Sequence, residues 1–490
     1  MRPEGLEQNY YFGGGTTDTF VTPAGVVVLI LACLLIFFLR RKYVIAPFFM
    51  ASLLIPVGQV IVVAGAHLMI YRVLILALCG RIFWSGFITR QDSFSLRMNS
   101  LDKVFLAWAL CNAILYTVLW RDVGAFFNRL GFLCTALGVY FVLRYVIRDR
   151  EDVIRTIKTL AFVAMPIAIA MVIEHRTGNN VVSMLFGGGV QTYAGMRGSS
   201  IRAQGPFQHA IVAGTFGAML LPLFIGLWTE GRKYRLIAGL GILSSGAIAI
   251  ASSSSTPVMT LLTGIAAWAL WPFRKKMKIL RWGFVIALIG FQFVMKAPVW
   301  FLIARMSSLT GGTGWHRAEL IDQFIRHFGE WWLIGTQNNA NWGLDMWDSI
   351  NAFVNAGVEG GLVTFILFIS IFVYAYKRLG IARRLAESHP ADERLMWAFG
   401  GCLFSNTVAF FGITYFDQSV IAWYALLVMI SVATAYVIDA KQPAVEVATP
   451  LFKRLGADAK GVAAATSQPG TIPVDRNVRM HNYRVNRSNS

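Results

Sequence analysis

An all-α polytopic integral membrane protein is the fold class that this sequence predicts, and three observations predict it. The 490 residues are 56% hydrophobic and only 14% charged, against roughly 25% charged in soluble domains. Apolar runs of about 20 residues, enough to cross a hydrocarbon core at ~1.5 Å per residue, recur from residue 22 to residue 440. The short connections between these runs alternate between a set rich in Lys and Arg and a set poor in them.

Residues 1–21 precede the first run and lack a basic n-region, and the run ends in "FFLRRK" without a small-residue cleavage site. It therefore reads as a retained helix behind an outer N-terminal segment, not as a signal peptide. Hydropathy then predicts about thirteen spans. They lie at 22–39, 43–64, 67–88, 103–120, 124–146, 154–173, 207–228, 235–252, 255–272, 279–297, 356–376, 395–414 and 418–438. The second and third are separated only by "VAGAH" and read as a tight hairpin.

The connections "RRK", "RQDSFSLRMNSLDK", "RDREDVIRTIK", "EGRKYR", "FRKKMKILR" and "YKRLGIARRLAESHPADER" carry most of the basic residues, so they are expected on the cytoplasmic side. "WRDVG", 174–206, "SSSST", 298–355 and "FGITYFDQS" then face outside, with the N-terminus outside and the C-terminus inside. The net charge of +19 is spread over these short clusters. That pattern serves insertion and argues against nucleic-acid binding. The five cysteines all fall in apolar runs without metal-ligand spacing and read as small buried hydrophobes. From residue 441 the chain turns polar, basic and Pro/Ser/Gly-containing, which predicts a disordered cytoplasmic tail, with an affinity for anionic lipids as the alternative.

Two outer segments are long enough to carry function. The first ends "GMRGSSIRAQGPFQHAIVAGTFG". Arg197 and Arg202 lie before a span that opens with Phe207, Gln208 and His209, and Gly195, Gly198 and Gly205 allow backbone N–H groups to approach an anion. Either these arginines anchor the interface, or they form a phosphate site beside a helix N-terminus. The run "IASSSSTPVM" at the next outer junction suits helix packing and capping, and no nucleophile-elbow motif surrounds it.

The second outer segment, 298–355, contains "GWHRAELIDQFIRHFGEWWLIG". Leu320, Ile321, Phe324 and Ile325 recur at helical spacing and lead into Phe328, Trp331 and Trp332, which predicts a helix lying on the membrane surface. Trp315, His316, Arg317 and Glu319 fall at its N-terminus, where an anionic group is favoured. "QNNANWGLDMWDSINAFVNAGVEGG" follows, with the Asn, Asp and Trp expected of a carbohydrate groove; an ordinary amphipathic cap is the alternative. No residue set has metal spacing and no Gly-rich nucleotide motif is present.

The order "R-x-x-G-x-F" (Arg202, Gly205, Phe207), a Ser-rich junction, "W-H-R…W-W-L-I-G" and "D-x-x-N-x-x-x-x-x-G-x-x-G-G" resembles the bacterial O-antigen ligase and O-antigen polymerase superfamily (Wzy-like), exopolysaccharide polymerases included. The resemblance covers roughly residues 195–440. It implies a GT-C-like, multi-pass glycosyltransferase of the bacterial inner membrane that works at the periplasmic face without metal or other cofactor. The donor would be a glycan on undecaprenyl pyrophosphate. The acceptor would be a second glycan, or a lipid-A core in a ligase. Membrane lipids and a chain-length regulator or export complex are the further expected partners.

Arg202 and Arg317 match the arginines that the family uses for pyrophosphate, with Arg197, Gln208, Trp315 and Asn351 as further substrate-binding candidates. Many ligases read His-Asn where this chain reads Ile350-Asn351. The general base is then expected among His316, Asp348 and Glu319, and the departure favours polymerase over ligase. A flippase of lipid-linked sugars is the rival reading. It would need internal repeats and midplane polar residues, for which Arg72, Arg81, Arg129 and Asp417 are the few candidates. A non-catalytic subunit of an export complex is the third.

Overall fold

The computed structural model describes residues 19–63, 66–87, 98–308, 314–347 and 349–440. Most of the expected N-terminal segment, Asp348 and the expected tail at 441–490 lie outside the described residues. The chain also divides after Ile438, so the tail belongs to a separate unit.

The helices are α1 (Pro23–Phe38), α2 (Ile45–Leu54), α3 (Ile70–Phe87), α4 (Ser100–Trp120), α5 (Val123–Val146), α6 (Arg150–Thr177), α7 (Val181–Leu185), α8 (Ala210–Thr229) and α9 (Arg235–Ala251). They continue with α10 (Ser255–Ala269), α11 (Met277–Val294), α12 (Leu302–Ser308), α13 (Gly314–Arg326), α14 (Phe328–Trp331), α15 (Ala352–Leu385), α16 (Pro390–Ala409) and α17 (Ser419–Ala440). Among the described residues, eight helices are long and apolar enough to cross a membrane, those of α4, α5, α6, α8, α9, α11, α15 and α17. The protein is thus a helical membrane protein. Two hairpins supply the sheet seen among the described residues: β1 (Val60–Val63) with β2 (Ala66–Met69), and β3 (Gly195–Arg197) with β4 (Ser200–Arg202).

The expected span 43–64 is corrected. Ten residues of α2 rise only ~15 Å, and the chain then leaves the helix at Ile55–Gly58 and continues as β1. Pro56 removes an N–H donor, and the β-branched run Val60–Val63 favours the strand.

Acidic and amide side chains set the helix starts. Asn99 and Asp102 form a reciprocal capping box on α4, Asp122 caps α5 and Asp149 caps α6. Gly178 closes α6 at φ +79, a conformation that glycine adopts without a Cβ penalty. Helix α8 is the packing centre, buried almost throughout. Small residues allow this. A Cβ on Gly217 would stand 2.6 Å from Ile248 of α9, and one on Gly226 2.6 Å from Ala398 of α16.

The connections separate into two ends. At one end Arg41 pairs with Asp152 at 2.6 Å, Arg150 with Glu230 at 2.7 Å and Asp392 at 2.5 Å, and Arg274 and Arg383 with Glu393. These residues belong to the Lys/Arg-rich connections and the helix ends beside them. At the other end Gly58 donates to Gly189, Ala203 to Ala251, and Ala352 to Phe410, joining the Lys/Arg-poor connections. Helix α15 is broken near that second end. Gly360 (φ −153°, ψ 18°) and Gly361 (φ 69°, ψ −169°) leave the helical region. The groups freed by the break bond the long loop: Leu362 N–H to Trp332 O at 2.8 Å, and Val358 O from Thr336 N–H at 2.9 Å.

Candidate functional site

The turn from Ile201 to His209 lies among the Lys/Arg-poor connections and is fixed from several directions. The Glu174 carboxylate, in the last turn of α6, accepts the N–H groups of Gln204 (3.1 Å) and Gly205 (2.8 Å). Asn180 donates to Gly205 O at 2.9 Å, and Gln418 to Pro206 O at 2.9 Å. Asp417 accepts the Gln208 N–H at 3.2 Å. His175 Nδ1–H and the Ser253 hydroxyl both donate to Ile201 O, at 2.7 and 3.0 Å. Ser253 itself sits at φ +45 without being glycine, local strain of the kind that collects at functional sites. This many anchors make the turn a rigid mount.

What it mounts is Arg202. The side chain donates from Nη2 to Ser254 Oγ at 2.9 Å, and its buried Nε has no partner. Ser254 is the N-cap residue of α10, so the guanidinium stands at the positive end of that helix. Its cross-strand partner is Gly195, which leaves open space where a side chain would stand. The two-residue turn between the strands has Gly198 at φ +59, as the first central residue of a type II′ turn requires.

Arg317 comes from α13, about 115 residues further on, and is 6% exposed with Nε unpartnered. Its guanidinium lies against Gly412: a Cβ there would stand 3.1 Å from Nε and 2.9 Å from Thr256 Oγ, which is also buried without a partner. Thr256 is in the first turn of α10. The two guanidinium groups are thus gathered at one helix start. Burial first, and repulsion from Arg197 second, hold both below the usual arginine range, Arg317 down to about 10. Both stay charged at neutral pH, and neither has a carboxylate partner among the described residues. Buried cations normally carry one.

A cavity of about 400 Å³ opens beside them, walled by Arg202, Gln204, His209, Ser349, Gly412 and Thr414 among others, with no Asp or Glu in its described lining. Gln204 is 4% exposed and its Nε2 has no partner. The wall is therefore rich in donors. Among the described residues, no three His, Cys, Asp or Glu side chains converge as metal ligands.

The structure brings together only part of the expected set. Arg202 lines the cavity, Arg317 stands behind its Gly412 wall, and Arg197 acts on both electrostatically. The Gln208 side chain is exposed and does not line the cavity; its backbone serves the turn. Asn351 is corrected from a substrate ligand to a structural cap. It is fully buried, its Oδ1 accepts Phe353 and Val354 N–H, and its Nδ2 donates to Phe411 O.

Trp315 is 66% exposed and packs on Phe301 with ring centroids 5.0 Å apart. His316 is half-buried but absent from the cavity wall, and Glu319 accepts from Gln323 on its own helix at 2.8 Å. Asp348 lies outside the described residues, although Ser349 and Ile350 line the cavity. Gln204 and Gly412 were not singled out by the sequence, while His209 and Thr256 stood only at the opening of a span and in the Ser-rich junction, with no role given to them. Their one common signal is position: each lies within a few residues of an outer helix start or end. Helix α13 forms as expected, and Leu320, Phe324, Trp331 and Trp342 build a separate small core beneath the loop.

No protein-family model matches this chain, and no curated protein is similar to it.

Proposed function

We propose that the protein is a membrane glycosyltransferase that moves a glycan from undecaprenyl pyrophosphate to a growing polysaccharide at the periplasmic face of a bacterial inner membrane. The observation that carries this reading is a pair of guanidinium groups, buried Arg317 and half-buried Arg202, with no carboxylate partner among the described residues, beside a donor-lined cavity. In this reading the apolar segments other than 43–64 traverse the membrane in a GT-C-like bundle. The N-terminus and the site end face the periplasm, and the Lys/Arg-rich end faces the cytoplasm.

The chemistry asked of the site is leaving-group stabilisation. As the bond from the sugar's anomeric carbon to the phosphate oxygen breaks, negative charge grows on the pyrophosphate. Two fixed forks of N–H donors and the α10 N-terminus meet that charge without reorganising. Charge-assisted contacts of this kind are roughly twice as strong as neutral ones. The acceptor hydroxyl then requires orientation and a proton acceptor. The departure at Ile350 supports polymerisation over ligation to a lipid-A core.

The test is transfer of radiolabelled glycan between purified lipid-linked repeat units in proteoliposomes. Elongated product is expected. Movement of substrate across the bilayer without new glycosidic bonds would instead establish a flippase, and neither activity would leave a non-catalytic subunit.

A further inference from the structure

The reaction proposed above needs a group to take the acceptor's proton, and none of the expected candidates is seen on the cavity wall. Glu319 is bonded within its own helix, His316 is not on the wall, and Asp348 lies outside the described residues. One titratable side chain other than arginine does line the cavity among its described residues, and it is His209.

The position of His209 is built. It is the N-cap residue of α8, in extended backbone (φ −139°, ψ 144°), with no side-chain cap bond to occupy its imidazole. Its ring meets Phe416 edge-on, with centroids 5.5 Å apart. The next residue, Asp417, is fully buried, and its carboxylate is held by Ser419 N–H at 2.8 Å and Gln208 N–H at 3.2 Å. Two contacts bring Asp417 near His209: its carboxylate accepts the N–H of the preceding residue, Gln208, and its neighbour Phe416 meets the His209 ring. The groups facing this pair are Arg202 across the cavity and Tyr71 and Tyr415 beside Asp417. A histidine is thus open to the cavity that Arg202 also lines, next to the residue whose N–H the buried Asp417 carboxylate holds.

We infer that His209 is the catalytic base of the proposed transfer, with Asp417 as the positioning carboxylate behind it. This rests on the glycosyltransferase reading. The acceptor hydroxyl oxygen forms a bond to the anomeric carbon of the donor sugar. The carbon–oxygen bond to pyrophosphate breaks, its electron pair leaving on the pyrophosphate held by Arg202 and Arg317. The hydroxyl proton passes to the neutral imidazole of His209, and the Asp417 carboxylate stabilises the imidazolium formed. The histidine that the resembling ligases carry in the long loop is thereby replaced from the start of α8.

The experiment uses the full chain in proteoliposomes, with the wild type, H209A, H209Q and D417N. Turnover of labelled lipid-linked repeat unit is followed across pH, and binding of inorganic pyrophosphate is measured separately by calorimetry. H209A and H209Q are expected to lose turnover by ~10²–10⁴-fold while binding pyrophosphate as the wild type does, and added imidazole should restore part of the H209A activity. The wild-type rate should rise with pH as the base loses its proton. D417N should lower turnover while pyrophosphate binding is kept, as loss of a group that positions the base would.

Wild-type turnover and pH profile in H209A would overturn the inference while leaving the transferase reading intact. So would loss of pyrophosphate binding in both His209 variants, which would make the residue a ligand. If the wild type binds no pyrophosphate and transfers no glycan, the transferase reading itself fails and the inference falls with it.

Discussion

The guanidinium of Arg317 rests on Gly412, so closely that a single added carbon at 412 would stand 3.1 Å from Nε. That contact ties α13 to the connection between α16 and α17. It makes Gly412 a position where the smallest substitution is informative.

Gly412→Ala should push the Arg317 guanidinium away from Thr256 without unfolding the chain, since Gly412 is not among the glycines at positive φ. The expected effect is up to about 1.5 kcal/mol of lost anion binding, the low end for a hydrogen bond to a charged group. Calorimetry with inorganic pyrophosphate should show an affinity roughly tenfold weaker. Unchanged affinity would place the anion elsewhere.

Arg202→Lys and Arg317→Lys each keep the charge and lose the planar fork. Each should cost ~1.5–3 kcal/mol of leaving-group stabilisation, about ten- to a hundred-fold in turnover. Arg317→Lys should be the worse of the two, because its site is the more buried. Turnover at wild-type level in both variants, at normal protein levels, would reduce these arginines to interfacial anchors.

Gln204→Leu replaces a buried amide whose Nε2 has no protein partner by an apolar side chain of similar size. Removing an unpaired buried donor relieves a penalty of about 1–3 kcal/mol. Thermal stability in detergent should therefore hold or rise, while binding of the sugar-bearing donor weakens. Falling stability with unaltered donor binding would give Gln204 a structural role.

Glu359→Gln strikes the cluster in which Arg129 pairs with Glu359 at 3.1 Å, donates to Asn112 and lies over the Tyr116 ring. Removing one partner of a buried pair costs ~3–5 kcal/mol. Glu359 keeps some solvent contact, so the loss here should be smaller. Glu359 precedes the break in α15 that the long loop bonds. Limited proteolysis should therefore cut residues 314–347 faster in this variant, and equal cutting rates would uncouple the pair from the loop.

The sequence showed what depends on nearby residues. Helix α13 was legible from the spacing of Leu320, Ile321, Phe324 and Ile325, and Arg202 from its place before a helix. The end of α2 was legible too, in Pro56, Gly58 and Val60–Val63, but total apolarity outweighed those signals in a hydropathy window. Asn351 was misassigned because a polar residue before a helix serves equally well as a cap or as a ligand, and only the Phe411 carbonyl decides between them. His209 was visible at the start of a span but was given no role, for a different reason. Its environment is made by Phe416 and Asp417, which no local pattern connects to it.

That separation also sets an order in time. The Gln208 N–H is held by Asp417, 209 residues later in the chain. At ~5–20 residues per second of synthesis, the turn that carries Arg202 waits roughly 10–40 s for the residue that completes its mounting. Gln418, which holds Pro206, arrives with it, immediately before α17. A nascent chain that has not yet reached Asp417 therefore has most of its helices but not the full mounting of its site. The last helix to enter the bilayer is the one that brings the Arg202 turn to its final form.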